Sequence, residues 1–153
     1  MTQLTTQASP LYSVQSGSWG LLEMDAKRIR RAVFIEEQHI PEQDEWDAQD
    51  AVSLHFVLYT LTENDQAKAI ATARPLSDHS IGRVAVLQAH RGKGIGRLLM
   101  KKVIEQAKKE QREYVKLSSQ VHAVAFYESL GFVKEGQEYL DCGIPHIDMR
   151  LIF

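Results

Sequence analysis

Residues 84–97 read Val84-Ala85-Val86-Leu87-Gln88-Ala89-His90-Arg91-Gly92-Lys93-Gly94-Ile95-Gly96-Arg97, and this stretch decides the fold. The β-formers Val84, Val86 and Leu87 run into a polar hinge at 88–90. Gly92, Gly94 and Gly96 follow, and an apolar helical pattern starts at once. A strand, a glycine turn and a helix start, in that order, predict a phosphate cradle. Glycine lets the chain turn with no Cβ in the way, so successive N–H groups can face an anion while the helix dipole adds positive potential. Arg91, Lys93 and Arg97 bring mobile positive charge to the same place. A turn that only joined a strand to a helix would need none of these cations.

Three phosphate-binding turns compete for the spacing. A Walker loop needs G-x-x-x-x-G-K-[ST], but Lys93 is followed by Gly94. A dinucleotide fingerprint needs G-x-G-x-x-G and an acidic strand end roughly 20 residues on, and neither is present. Arg91 to Gly96 does fit R-x-x-G-x-G, which resembles the acetyl-CoA signature of the GCN5-related N-acetyltransferases (GNAT).

Composition narrows the field. A length of 153 residues predicts one domain with a real core, and 44% hydrophobic with 25% charged residues is ordinary for a globular chain. Net charge is −2, so nothing global points to nucleic acid or an anionic membrane, and the basic cluster suits a small polyanion. Cys142 is the lone cysteine, which excludes an internal disulfide and fits a reducing compartment. Residues 1–10 lack the cationic start and apolar core of a signal peptide and predict a flexible tail. No apolar run approaches the ~20 residues that cross a bilayer. A soluble cytoplasmic protein, with its domain over 11–153, is the expectation.

Taken in order, residues 11–16 alternate and predict a first strand, broken at 17–20. Leu22, Ala26, Ile29 and Val33 then mark one face of a helix that ends before Pro41. Residues 41–51 carry Glu42, Asp44, Glu45, Asp47 and Asp50 around Trp46. Such a loop either gathers a cationic amine or is simply a solvated surface. It lacks the glycine and final glutamate of a calcium loop, and no metal is expected. Residues 54–61 and 67–74 form a hairpin through Glu63-Asn64-Asp65-Gln66, with Phe56 and Leu58 opposed to His55, Val57 and Tyr59. Ala67, Ala69, Ala71 and Ala73 are expected on one face, leaving room for a helix. Arg74, opposite them, is read either as a ligand for a substrate carboxylate or as a surface ion pair.

After a turn at 76–80 comes the strand 81–87. The next helix turns Ile95, Leu98, Leu99, Val103 and Ala107 inward and its lysines outward. A strand at 114–118, a helix at 121–130 capped by Gly131, a further strand from Phe132, a turn region framed by Gly136 and Gly143, and a last strand around 147–153 complete the chain. The order predicts a mixed α/β fold, its sheet mostly antiparallel and flanked by helices.

Residues 123–132, A-V-A-F-Y-E-S-L-G-F, are similar to the A-x-x-F-Y-E-x-L-G-F segment of the same family, at the spacing expected after the glycine turn. V-F-I-E-E-Q-H-I-P-E-Q-D-E-W-D and D-C-G-I-P-H-I-D-M resemble its ElaA-like branch. The resemblance implies the acyl-CoA N-acyltransferase fold, in which the strand 84–86 splays from the strand beginning near Tyr114. Pantetheine would lie in that gap against Val84, Ala85 and Val86. Pyrophosphate would sit on Arg91, Gly92, Lys93, Gly94, Ile95, Gly96 and Arg97, with Phe126 and Tyr127 beside the thioester. A family asparagine is replaced here by Gln120.

The resemblance also implies acetyl transfer from acetyl-CoA to the primary amine of a small molecule or peptide, by direct attack in a ternary complex, with a homodimer as a frequent assembly. A lysine-like amine, with a pKa of ~10.4, is free base only about one part in 10³ at neutral pH, so a base is required. Glu36, Glu37, His55, His146 and Asp148 are candidates, and Glu37 with His146 is the pair chosen. Tyr127 is assigned by resemblance as the acid that protonates the leaving thiolate. A backbone N–H near Val84 or Val86 would stabilise the oxyanion. The rival readings are a CoA-binding regulatory module without turnover and a protein-interaction domain using the acidic loop.

Overall fold

The computed structural model describes residues 11–62 and 64–153, so the expected N-terminal tail and Glu63 of the hairpin turn lie outside the described residues. The elements are β1 (Tyr12–Gly17), α1 (Trp19–Arg30) continuing as a π-turn (Arg31–Glu37), a short helix α2 (Glu42–Glu45), β2 (His55–Leu61), β3 (Ala67–Pro75), β4 (Ile81–Val86), α3 (Ile95–Lys109), β5 (Tyr114–Gln120), α4 (Val124–Ser129), β6 (Val133–Asp141) and β7 (Ile144–Ile152).

They form two sheets, β1-β2-β3-β4 and β5-β7-β6, every pairing within them antiparallel. The first sheet is covered on both faces, which is why β2 is a continuous apolar run. Phe56 and Leu58 face the core with α3, where Leu99, Met100 and Val103 meet Leu117 and Met149 of the second sheet. Val57 faces α1, whose Leu22, Ala26, Ile29 and Val33 form the second core. Each fully buried Leu or Ile contributes about 1.5–3 kcal/mol relative to exposure.

Three local expectations change. Helix α1 starts at Trp19 behind Ser18, so Gly20 lies inside the first turn and ends nothing. The alanines of β3 do not share a face. A bulge between Leu58 and Tyr59 sets Leu58 opposite Ala71 and Tyr59 opposite Ala69, so Ala69 packs under α1 while Ala71 and Ala73 face α3. An inserted residue reverses side-chain parity, which composition alone does not reveal. Gly136 opens no turn either: β6 runs on to Asp141, and Gly136, at φ +74°, sits in a bulge between Glu135 and Tyr139.

Candidate active site

Strands β4 and β5 run parallel and belong to different sheets. Among the described residues they are bridged at Ser80 and Lys116, where the Lys116 N–H donates to the His79 carbonyl at 3.0 Å, and beyond that point they part. The parting opens a cleft of about 1370 Å³ whose walls include Val84, Ala85 and Val86 on one side and Leu117, Ser118 and Gln120 on the other. It runs from the glycine turn, past Phe126 and Tyr127, to Asp44, Cys142 and His146.

The glycine turn has the form a phosphate cradle needs. Gly92 and Gly94 have φ of +77° and +78°, and a Cβ at either would meet nothing within 4 Å, so the turn is open outward. Gly94 caps α3, a helix of 15 residues whose N-terminal dipole end points into the turn. At Gly96, in the first turn of α3, a Cβ would stand 3.3 Å from the Phe126 ring and 3.7 Å from Val86, so this glycine lets α3 pack closely on Phe126 of α4. The local potential is positive: burial first, then the charges of Lys93 and Lys68, push His90 below its usual pKa. The residues present therefore fit a pyrophosphate.

Two of the three cations in the turn have second partners. Arg91 donates from Nε to the Val86 carbonyl at 2.9 Å and from both Nη atoms to Glu37 at 2.7 Å. Glu37 is thus held bidentately, and the Arg91 hydrogen bonds keep its pKa below the usual range. A carboxylate so held is a poor proton acceptor, which counts against the base role expected of Glu37 and makes it the residue that orients Arg91. Arg97 reaches the end of α4, donating to Ser129 Oγ at 3.1 Å.

Tyr127 is 8% exposed yet lines the cleft, its ring edge-on to Phe126 and Phe132 at 5.0 and 5.8 Å. Among the described residues nothing hydrogen-bonds its hydroxyl, and burial pushes its pKa well above the ordinary tyrosine value. His146, on β7 opposite Gln120, is 9% exposed and bonds through Nδ1 to the Ile144 carbonyl at 2.7 Å. A carbonyl only accepts, so Nδ1 carries the proton and the neutral ring keeps Nε2 as its basic atom. Of the other base candidates, Glu36 is exposed and does not line the cleft, and the remaining two have other partners. His55 is buried against Trp19 and hydrogen-bonded to the Asp50 carbonyl at 2.9 Å, and Asp148 accepts from Tyr139 at 2.7 Å.

The acidic loop divides: Glu42, Asp44 and Asp47 are exposed, Asp44 at the cleft, while Glu45 and Asp50 are buried in an ion-pair network. Arg30 lies between the rings of Trp19 and Trp46, at 5.6 and 5.1 Å, and pairs with Glu45 and Asp50, both at 2.7 Å. Arg74 pairs with Asp47 at 2.7 Å and Asp50 at 2.9 Å, and Arg83 with Glu45 at 3.2 Å and Asp47 at 3.3 Å. Arg74 is 4% exposed and both its Nη atoms are taken by Asp47 and Asp50, while its buried Nε has no partner; with the Nη atoms so held it is poorly placed to bind a substrate carboxylate, and its pair with Asp50 is buried. Burial raises Glu45, whereas for Asp50 burial is outweighed by Arg30 and Arg74, which hold it below the carboxylate range.

Sequence reasoning missed a strap across the cleft. Gln38, just after the π-turn, and Gln120, at the end of β5, exchange amide hydrogen bonds of 2.9 and 3.3 Å, and His122 joins Gln120 at 2.7 Å. The amide of Gln120 is thereby spent on holding the walls together. Its replacement of the family asparagine was the available signal, but Gln38 carried none. Among the described residues no group of His, Cys, Asp and Glu could hold a metal ion, and no helix is long and apolar enough to cross a membrane.

The family model of the acetyltransferase (GNAT) domain matches residues 24–153. Protein ElaA of Escherichia coli is 35% identical over 128 residues, covering 80% of this chain and 82% of ElaA. Its crystal structure superposes with a TM-score of 0.78 at 31% identity, over 92% of this chain and 99% of that one. The Bacillus subtilis N-acetyltransferase YjcF, itself uncharacterised, is 34% identical over 129 residues, 82% of this chain and 89% of YjcF. An acyl-CoA N-acyltransferase from Pseudomonas aeruginosa superposes with a TM-score of 0.76 at 30% identity, over 92% and 99% of the two chains. The phosphate cradle, the splayed strands and these relatives agree: the chain belongs to the GNAT family, on the branch that holds ElaA, and is an acetyl-CoA-dependent N-acetyltransferase.

Proposed function

We propose that this protein, through one catalytic domain over residues 11–153, transfers the acetyl group of acetyl-CoA to a primary amine of a small molecule or peptide by direct attack within a ternary complex. The observation that carries this reading is the continuity of one cleft from the cradle at Gly92–Gly96 to Tyr127 and His146. Such a cleft holds both reactants at once. Acetyl-CoA supplies an acyl group already activated as a thioester, so the chain's own residues need to position, move protons and exclude water.

In this reading Val84, Ala85 and Val86 bind pantetheine along the open edge of β4, and the N–H groups of 91–96 with Lys93 and Arg97 hold pyrophosphate. The Val84 N–H donates to the carbonyl oxygen as charge gathers there, the interaction that matters most in acyl transfer. His146 Nε2, directly or through water, takes the proton of the incoming ammonium. Tyr127, on the cleft wall beside Phe126, delivers its hydroxyl proton to the departing sulfur. A cytoplasmic location goes with the lone thiol Cys142.

Initial rates of CoA release, measured over a grid of acetyl-CoA and amine concentrations, test the mechanism. A ternary complex gives intersecting double-reciprocal lines. Parallel lines would mean that the acetyl group first rests on the protein, and would sink direct attack.

A further inference from the structure

We propose that Arg83 is a positioning residue: its grip on Glu45 and Asp47 holds the bulge of β4 so that Val84 presents its N–H to the acyl carbonyl. The inference rests on the reading of Val84 as the oxyanion donor. The register of β3 and β4 slips between Thr72 and Arg74, since Thr72 faces Ala85 while Arg74 faces Gly82. Arg83 and Val84 therefore stand opposite Ala73 alone. A bulge leaves its extra residue outside the ladder and re-aims the strand locally.

Such a bulge must be held. Arg83 has φ of +52°, the left-handed region that a side chain disfavours, and such a conformer persists only where its surroundings over-determine it. Here they do. Nε stands 3.2 Å from Glu45 Oε2, and an Nη donates to the Glu45 carbonyl at 2.8 Å and to Asp47 at 3.3 Å. The anchor is rigid: Glu45 is 3% exposed, and Arg30, itself packed between Trp19 and Trp46, donates to the same Oε2 at 2.7 Å and to the same carbonyl at 3.0 Å. The three arginines Arg30, Arg74 and Arg83 match the three acids Glu45, Asp47 and Asp50, so the cluster carries no net charge to draw in a substrate. Its output is geometry. Glu45 and Arg83 both line the cleft, so one clamp sets the loop wall and the strand wall against each other. One Nη of Arg83 serves both the Glu45 carbonyl and Asp47, while Nε faces the Glu45 carboxylate as an ion pair without a hydrogen bond, a rigid arrangement that the flexible stem of lysine reproduces less well.

The test uses the 15N-labelled full chain. In the wild type, the Val84 amide should move downfield with acetyl-CoA relative to CoA, as expected for a hydrogen bond to the acetyl carbonyl. In Arg83→Gly, where glycine accepts the positive φ, most of that difference should vanish. That variant should keep its fold by circular dichroism and its acetyl-CoA affinity, yet lose ~10²-fold in kcat, the usual scale for a misplaced reacting group. Arg83→Lys and Glu45→Gln should shift both readouts in the same direction by less. A folded Arg83→Gly that retains the Val84 shift and the wild-type kcat would overturn the clamp, as would a loss confined to acetyl-CoA affinity. Absence of the shift in the wild type would instead remove Val84 as donor, and the clamp's purpose with it.

Discussion

Tyr127 illustrates how much one residue's setting decides. Its ring is core, packed against Phe126 and Phe132, while its hydroxyl opens into the cleft without a partner. Phe126 is the less buried of the two and covers Gly96. Tyr127→Phe keeps the packing and removes only the proton. It should lower kcat by ~10²-fold or more with acetyl-CoA binding unchanged, and an unaltered kcat would take Tyr127 out of the chemistry. His146 was legible as a candidate because its type suits the task. Glu37 is a candidate by its place near the end of the first helix, and its bidentate hold by Arg91, 54 positions along the chain, cannot be read from spacing.

At the scale of elements, the helices and most strand limits follow from periodicity, because an apolar stripe must find a core. Bulges do not announce themselves. Those in β2–β3 and β3–β4 each insert one residue and so change which side chains share a face, whereas the two-residue shift in β6–β7 leaves the parity unchanged. The loop at 42–50 shows the same limit. Its acids look solvated in sequence, since their partners Arg30, Arg74 and Arg83 lie on α1, β3 and β4 and converge only in the fold. Removing one partner of a buried ion pair leaves an uncompensated charge, which typically costs about 3–5 kcal/mol. Arg74→Ala should therefore destabilise the protein by an amount at or below that range, because Arg30 still covers Asp50, while the KM for the amine stays unchanged. Urea unfolding beside steady-state kinetics checks both. A stable variant with a raised amine KM would return Arg74 to substrate binding.

At the scale of the whole molecule, the glycine turn and the 123–132 segment carried the family, and the splay they implied is present in the parted strands β4 and β5. What stayed hidden were the ties across that splay, the Gln38–Gln120 strap and the Arg91–Glu37 pair, which join segments far apart in sequence. The account as a whole stands on the cradle binding acetyl-CoA. Calorimetric titration of acetyl-CoA into the wild type and into Gly94→Glu tests it most directly. That substitution sets a carboxylate where the pyrophosphate should lie, at a φ of +78° that side chains disfavour. The account predicts saturable binding with one site per chain in the wild type and its loss in a variant that remains folded. Equal affinity in both, or no heat from a folded wild type, would contradict it.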